Sequence, residues 1–282
     1  MGADNVAFQF VQRLGSELST EKLDLPSFPD VALRVKAALE APDVSAQRMA
    51  SVVSADPVLS ARLLKIANSA AMSNSGHVSD IRTAVTRLGF NMVYNTAVSI
   101  AMNQLLGVKL PAPLRTQLDQ LWLHSVQVAA IAHVLAKKLT RINPDEAMLG
   151  GLLHDIGKIY VLMRAGEYPD LFGDSSAFDA VVKEWHTGVG AAMLESWNFS
   201  AELVMVADEH ELLSRNTTNV ADLVDLVMVA NLFANHDLHA GQIPDWDHIP
   251  ALARLRLTSA SAVELLAESQ DQFDSVVAAM NS

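Results

Sequence analysis

Helix-start signals recur from one end of this chain to the other, and they leave little room for any other secondary structure. Ser45 precedes "AQRMASVVSA", and Asp56 precedes Pro57 and "VLSARLLKIANSA". Each places a side-chain oxygen where the first free amides of an α-helix need an acceptor, and the second adds proline at the first helical position. Asp80 stands before "IRTAVTRLGF", where Gly89 can end one helix before "NMVYNTAVSIAMNQLL" starts the next. Alternating strand patterns are nearly absent. Half of the 282 residues are hydrophobic and only 6% are aromatic, a mix rich in Ala, Val and Leu that suits helices packed closely on one another. An all-α fold is expected.

The stretch "KLPAPLRT" (109–116) reads as a connection between two helical lobes, residues 1–110 and 111–282. In the second lobe "LDQLWLHSVQVAAIAHVLAKKL" is a long helix. "NPDEAMLGGLLHDIGKIYVLM" reads as one helix capped by Asn143, with Pro144 at its first position and acids in its first turn. Three more helices follow in "SSAFDAVVKEWHTGVGAAMLESW", "SAELVMVADEHELL" and "NVADLVDLVMVANLFANH". The tail from Ser259 closes the bundle as one or two amphipathic helices.

The net charge of −12, from 32 acids against 20 bases, repels a phosphate backbone. The densest basic cluster, Lys137, Lys138 and Arg141, suits the solvated end of a helix. Direct nucleic-acid binding is therefore not expected. The absence of cysteine excludes disulfides and thiolate metal sites. The opening "MGADNVAFQFVQRL" has neither the basic-then-apolar pattern of a secretory signal nor the Ser or Thr of a myristoylation motif. The most apolar stretch, "VQVAAIAHVLA", is too short to span a bilayer. A cytoplasmic protein with no membrane role is expected.

Helical phasing then turns an unusual set of polar residues inward. Leu121, His124, Val128, Ile131 and Leu135 share one stripe, while His133 falls beside Lys137 on the opposite side, facing solvent. On the next helix Met148, Leu152, Asp155, Ile159 and Leu162 form the stripe, with His154 about 100° round from Asp155. Gly150 and Gly151, one turn earlier, allow a neighbouring helix to approach closely. His186 aligns with Val182, Val189 and Met193; His210 with Leu203, Val206 and Leu213; Asn231 with Val227 and Ala234. Buried polar groups are costly unless satisfied, so these residues meet each other or an ion. A single inward histidine is ordinarily a hydrogen-bonded core residue. Four of them with an adjacent aspartate point to a pocket for a metal or an anion, and a hydrogen-bonded network without an ion is the other arrangement they allow. In the first lobe, Asp56 and Asn68 read as ordinary capping and local bonding.

The blocks "LPSFPDVALRV", "SADPVLSARLLKIANSA", "IRTAVTRLGF", "LWLHSVQVA", "GLLHDIGK" and "HTGVGAAMLESWNFSAELV" occur in this order and resemble an HDOD domain over roughly residues 20–235. The resemblance implies a two-lobed helical bundle whose C-terminal lobe is similar to the HD and HD-GYP phosphohydrolases, and a bacterial signalling role. It implies metal ligands at His124, His154, Asp155, His186 and His210. Lys158 matches the lysine of the enzymes' motif, so Lys158 and Asp155 are the catalytic candidates if the site is active. Three positions depart from the enzymes' pattern. Gln120 replaces a glutamate, Glu211 stands where a second histidine is expected, and Asn231 replaces the closing aspartate. The GYP loop is missing, and "GEYPD" at 166–170 resembles it only in letters.

These departures bear on chemistry. A hydrolytic metal must acidify a bound water, and anionic ligands and a base support that work. Asn231 offers only a neutral carbonyl oxygen. One divalent ion (Fe, Mn, Ni or Zn) is therefore the most the pocket is expected to hold. The expected function is a regulatory module that binds a signalling protein or a small nucleotide. The alternative is a metal-dependent phosphohydrolase acting on a nucleotide or cyclic dinucleotide.

Overall fold

The computed structural model describes residues 12–13, 15–16, 28–69, 76–107, 109–166, 175–216, 220–236 and 244–281. Among these residues every regular element is an α-helix. The first five are α1 (Asp30–Leu39), α2 (Ala46–Ser54), α3 (Pro57–Ala67), α4 (Ile81–Leu88) and α5 (Phe90–Leu105). Their starts follow the caps. Ser45 accepts from the Arg48 amide at 3.2 Å, Asp56 from Val58 and Leu59 at 3.0 and 2.9 Å, and Asp80 from Thr83 at 2.9 Å. Gly89, at φ +80°, turns the chain between α4 and α5 in a conformation other residues rarely adopt. Asn68 closes α3 by a paired contact with Val78, donating to its carbonyl and accepting from its amide, both at 2.8 Å.

The second half is built on α6 (Ala112–Leu139), which starts inside the expected connection and shortens it. The reason is local: Pro111 stands at the N-cap and Pro113 in the first turn, where a missing amide hydrogen is harmless. Against α6 pack α7 (Pro144–Leu153), α11 (Leu223–Ala234) and α13 (Ser259–Asn281). Helix α8 (Ile156–Ala165) pairs with α9 (Ser175–Ser196), which leads to α10 (Ala201–Glu209). The short α12 (Pro250–Arg254) rests on α11. One continuous cluster of buried apolar side chains runs from Phe28 to Phe273. Between the halves α5 packs on α7, where the Asn95 side chain donates to the Asp145 carbonyl at 2.6 Å. No helix among the described residues is long and apolar enough to cross a membrane.

Four expectations need correction. The helix anticipated from Asn143 onward is broken at His154–Asp155, where Asp155 takes φ −103° and ψ 19° and restarts the chain as α8. His133 does not face solvent: it is half-buried and donates from Nδ1 to the Pro144 carbonyl at 3.1 Å. Leu213 is exposed, because α10 stops at Glu209 and its stripe with it. The tail from Ser259 is one helix, not two. The "GEYPD" stretch lies, after Gly166, outside the described residues. Gly151 is bound by close approach as expected: a β-carbon there would stand 2.7 Å from the Ala129 α-carbon of α6.

Candidate metal centre

The break between α7 and α8 places His154 and Asp155 in a turn at the middle of the bundle. Each of three histidines spends its Nδ1 hydrogen on its own chain. His154 donates to the Gly151 carbonyl at 2.7 Å, His186 to Val182 at 2.9 Å and His210 to Val206 at 3.1 Å. Such bonds fix the ring and leave Nε2 facing the centre. All three rings are buried, and so is the Asp155 carboxylate they surround. His210 Nε2 and His186 Nε2 lie 3.2 and 3.8 Å from Asp155 Oδ1, and His154 Nε2 lies 3.3 Å from Oδ2.

Four buried atoms here have no hydrogen-bond partner: Nε2 of His154, His186 and His210, and Oδ1 of Asp155. Convergence of lone pairs with nothing to donate to them is what a bound cation resolves. The ligand-type atoms fall into two overlapping groups that share Asp155. One is Asp155, His186, His210 and Glu211; the other is His124, His154 and Asp155, with all atoms of a group within 4.8 Å of one another. Imidazole with carboxylate suits Fe, Mn, Ni or Zn better than Mg or Ca. The residues present therefore fit a divalent ion.

His124 is half-buried, with Nε2 2.9 Å from Asn231 Oδ1, so the two meet as phasing suggests. Gln120 is exposed on α6 and joins neither group. Glu211 is the residue that sequence reasoning missed. Its carboxylate lies 3.3 Å from His186 Nε2 and 3.0 Å from Lys158 Nζ, and Lys158 also stands 3.0 Å from Asp155. Neighbours in a continuing helix point about 100° apart. Here α10 has ended, and the turn lets His210 and Glu211 face one centre. An acid directly after an inward histidine at a helix end was the only signal.

The electrostatics follow from this crowding. Burial raises the Asp155 carboxyl, but His154, His210 and Lys158 outweigh it and hold it well below its ordinary value. The hydrogen bond from His186, with Lys158 adding to it against burial, holds Glu211 down to about 2. Burial disfavours the Lys158 ammonium, yet the two carboxylates more than compensate and raise it. Burial, then the neighbouring His154, pulls His124 down to about 4, and burial also lowers His210.

A pH dependence follows for the metal-free protein. An unfolded histidine titrates near about 6.5, so between there and His124's folded value of about 4 the unfolded chain binds the extra proton. Stability is therefore full above that window and falls as pH drops through it. Glu211 adds a second loss, beginning near about 4.5 and completed toward its folded value of about 2. Thermal melts at constant ionic strength are expected to show the decline, and His124→Gln is expected to flatten its upper part. A melting temperature that stays level from neutral pH to about 4 would contradict this.

The HDOD domain family model matches residues 25–213. Over 252 residues the chain is 24% identical to an uncharacterized protein of Treponema pallidum (strain Nichols), covering 82% of this chain and 47% of that protein, so it spans about half that relative's length. Among solved structures, a "Putative metal-dependent phosphohydrolase" from Shewanella amazonensis SB2B superposes with a TM-score of 0.77 at 26% identity, over 98% of this chain and 99% of that one. An HDOD domain protein from Geobacter sulfurreducens, 23% identical, shares the fold with a TM-score of 0.72 over 96% and 97% of the two chains.

Proposed function

The chain belongs to the HDOD domain family, and on that footing we propose that it is a cytoplasmic regulatory module acting by binding, with one divalent ion held in its histidine pocket and no turnover of its own. The observation that carries the metal is the set of four buried, unpartnered atoms on His154, Asp155, His186 and His210. His124 and Glu211 stand ready as further ligands. An ion bound there supplies Lewis-acid charge and can acidify a water.

The chain's own residues argue for holding rather than hydrolysis. Lys158 engages both nearby carboxylates, Asp155 and Glu211, so neither is a free base. Asn231, facing His124, has no proton to take and no charge to balance a metal. The first lobe, residues 1–110, is the natural receiver of a partner, either a signalling protein or a small nucleotide. A second reading, a phosphohydrolase acting on a nucleotide or cyclic dinucleotide, is favoured by one finding. Glu211 returns a carboxylate to a site that Gln120 and Asn231 had depleted, and the Shewanella structure is similar over nearly the whole chain. In that case Asp155 would hold the ion and Lys158 would meet the phosphate.

Elemental analysis of the purified protein, paired with hydrolysis assays on a generic phosphodiester in Mn and Fe, separates these. The expected result is near-stoichiometric metal and no turnover, with Asp155→Ala losing metal affinity by about tenfold or more. Turnover that Asp155→Ala abolishes would establish the enzyme instead. Protein that takes up no ion under any supply would end the metal assignment.

A further inference from the structure

Between the two lobes lies a second polar cavity, of about 260 Å³, that shares no residue with the histidine pocket. One wall is α5, with Asn91 and Tyr94; the other is the start of α7, with Asn143, Asp145 and Glu146. Leu149 and Leu203 supply its apolar surface. Two features mark it as built. The Tyr94 hydroxyl is buried, on a residue only 7% exposed, and has no hydrogen-bond partner. A buried phenol in a wall of polar groups normally finds one. The walls are also pinned together, because the Asn95 side chain crosses to the Asp145 carbonyl at 2.6 Å.

The chemistry of the lining selects the occupant. Asp145 and Glu146 bring two carboxylates, and no lysine or arginine lines the cavity. The group nearest Asp145 from the facing helix is His133, whose Nδ1 is 3.8 Å away and already donates to the Pro144 carbonyl. Phosphates and carboxylates are therefore repelled. A bare divalent ion needs a tight shell of oxygens at about 2.0–2.6 Å, whereas this space is many times larger and partly apolar.

We propose that the inter-lobe cavity binds a small organic cation, an alkylamine or alkylguanidine, whose charged end donates to Asp145 and Glu146 and to the Tyr94 oxygen while its stem lies against Leu149 and Leu203. Because the walls come from both lobes, the ligand would tie them together. The inference is independent of what the metal centre does.

Isothermal titration and thermal-shift measurements on the full chain test it, with agmatine as the probe and glutarate as a control of similar length and opposite charge. Agmatine is expected to bind saturably and raise the melting temperature, and glutarate to do neither. Asp145→Asn and Glu146→Gln should each weaken agmatine by about tenfold or more, as loss of a charged hydrogen bond does. Tyr94→Phe, which keeps the ring packing, should weaken it by roughly threefold to tenfold, and provides the readout if an acidic-residue variant folds poorly. The proposal is overturned if agmatine gives no heat and no shift, if all three variants bind it like the parent, or if Zn²⁺ at the histidine pocket displaces it.

Discussion

Replacing Gly157 with alanine is expected to cost the fold roughly 3 kcal/mol or more and to weaken the metal centre with it. A β-carbon at Gly157 would lie 1.8 Å from the His186 carbonyl oxygen and 2.7 Å from the Gly190 amide nitrogen of α9. Both are backbone atoms, so no rotamer change relieves the clash, and α8 and α9 must move apart. Overpacking costs about 1–3 kcal/mol even where side chains can yield. His186 rides on the displaced segment, and its Nε2, now 3.8 Å from Asp155, would leave the ligand group. Denaturant melts and metal titration read the two effects. Gly188→Ala on the same helix is the control: its β-carbon would meet nothing within 4 Å, and an exposed helical Gly→Ala change is worth up to about 1 kcal/mol in the stabilising direction. A Gly157→Ala protein that melts and binds metal like its parent would refute the close-approach account.

Gly157 also shows where the sequence stops being readable. Caps are local, within three residues of one another, so Ser45, Asp56, Asp80 and Asn143 could be read directly, and each caps as expected. His124 and His186 were legible because each sits inside a long helix whose apolar stripe defines an inside. The remaining features depend on approach between distant segments. Nothing near Gly157 states that the backbone of α9 passes within contact of it. The break at Asp155 serves a carboxylate that turns to His154, His210 and Lys158 instead of capping α8. Glu211 came into view only once α10 was seen to end at Glu209. His133 was misplaced for the same reason: the end of α7 that covers it comes from a turn, outside the phase of α6.

Asp225→Ala is expected to destabilise the protein by about 3–5 kcal/mol, the usual result of stripping one partner from a buried ion cluster. Asp225 on α11 is fully buried. Its carboxylate accepts from Arg254 at 2.7 and 2.5 Å and from Arg215 at 3.3 Å, and also takes the Asp222 amide at 3.2 Å in a reciprocal cap. Arg254 goes on to donate to the Arg215 carbonyl at 3.0 Å, and Arg215 also pairs with Glu209 and Asp222. Without Asp225, guanidinium groups drawn from two other segments remain in the interior with too little negative charge to meet them. The functional consequence lies in the turn that this cluster anchors. Residues 210–215 leave α10 carrying His210 and Glu211, and Arg215 fastens that turn to α11, which presents Asn231 to His124. Asp225 touches no candidate ligand, yet its loss frees the segment that bears two of them. Urea melts should therefore show the drop in stability, and Asp225→Asn, which retains the shape but not the charge, should fall between alanine and the parent. Metal affinity should decline in the same order. A urea midpoint unmoved by either substitution would mean that the cluster is solvated and that the turn is held by something else.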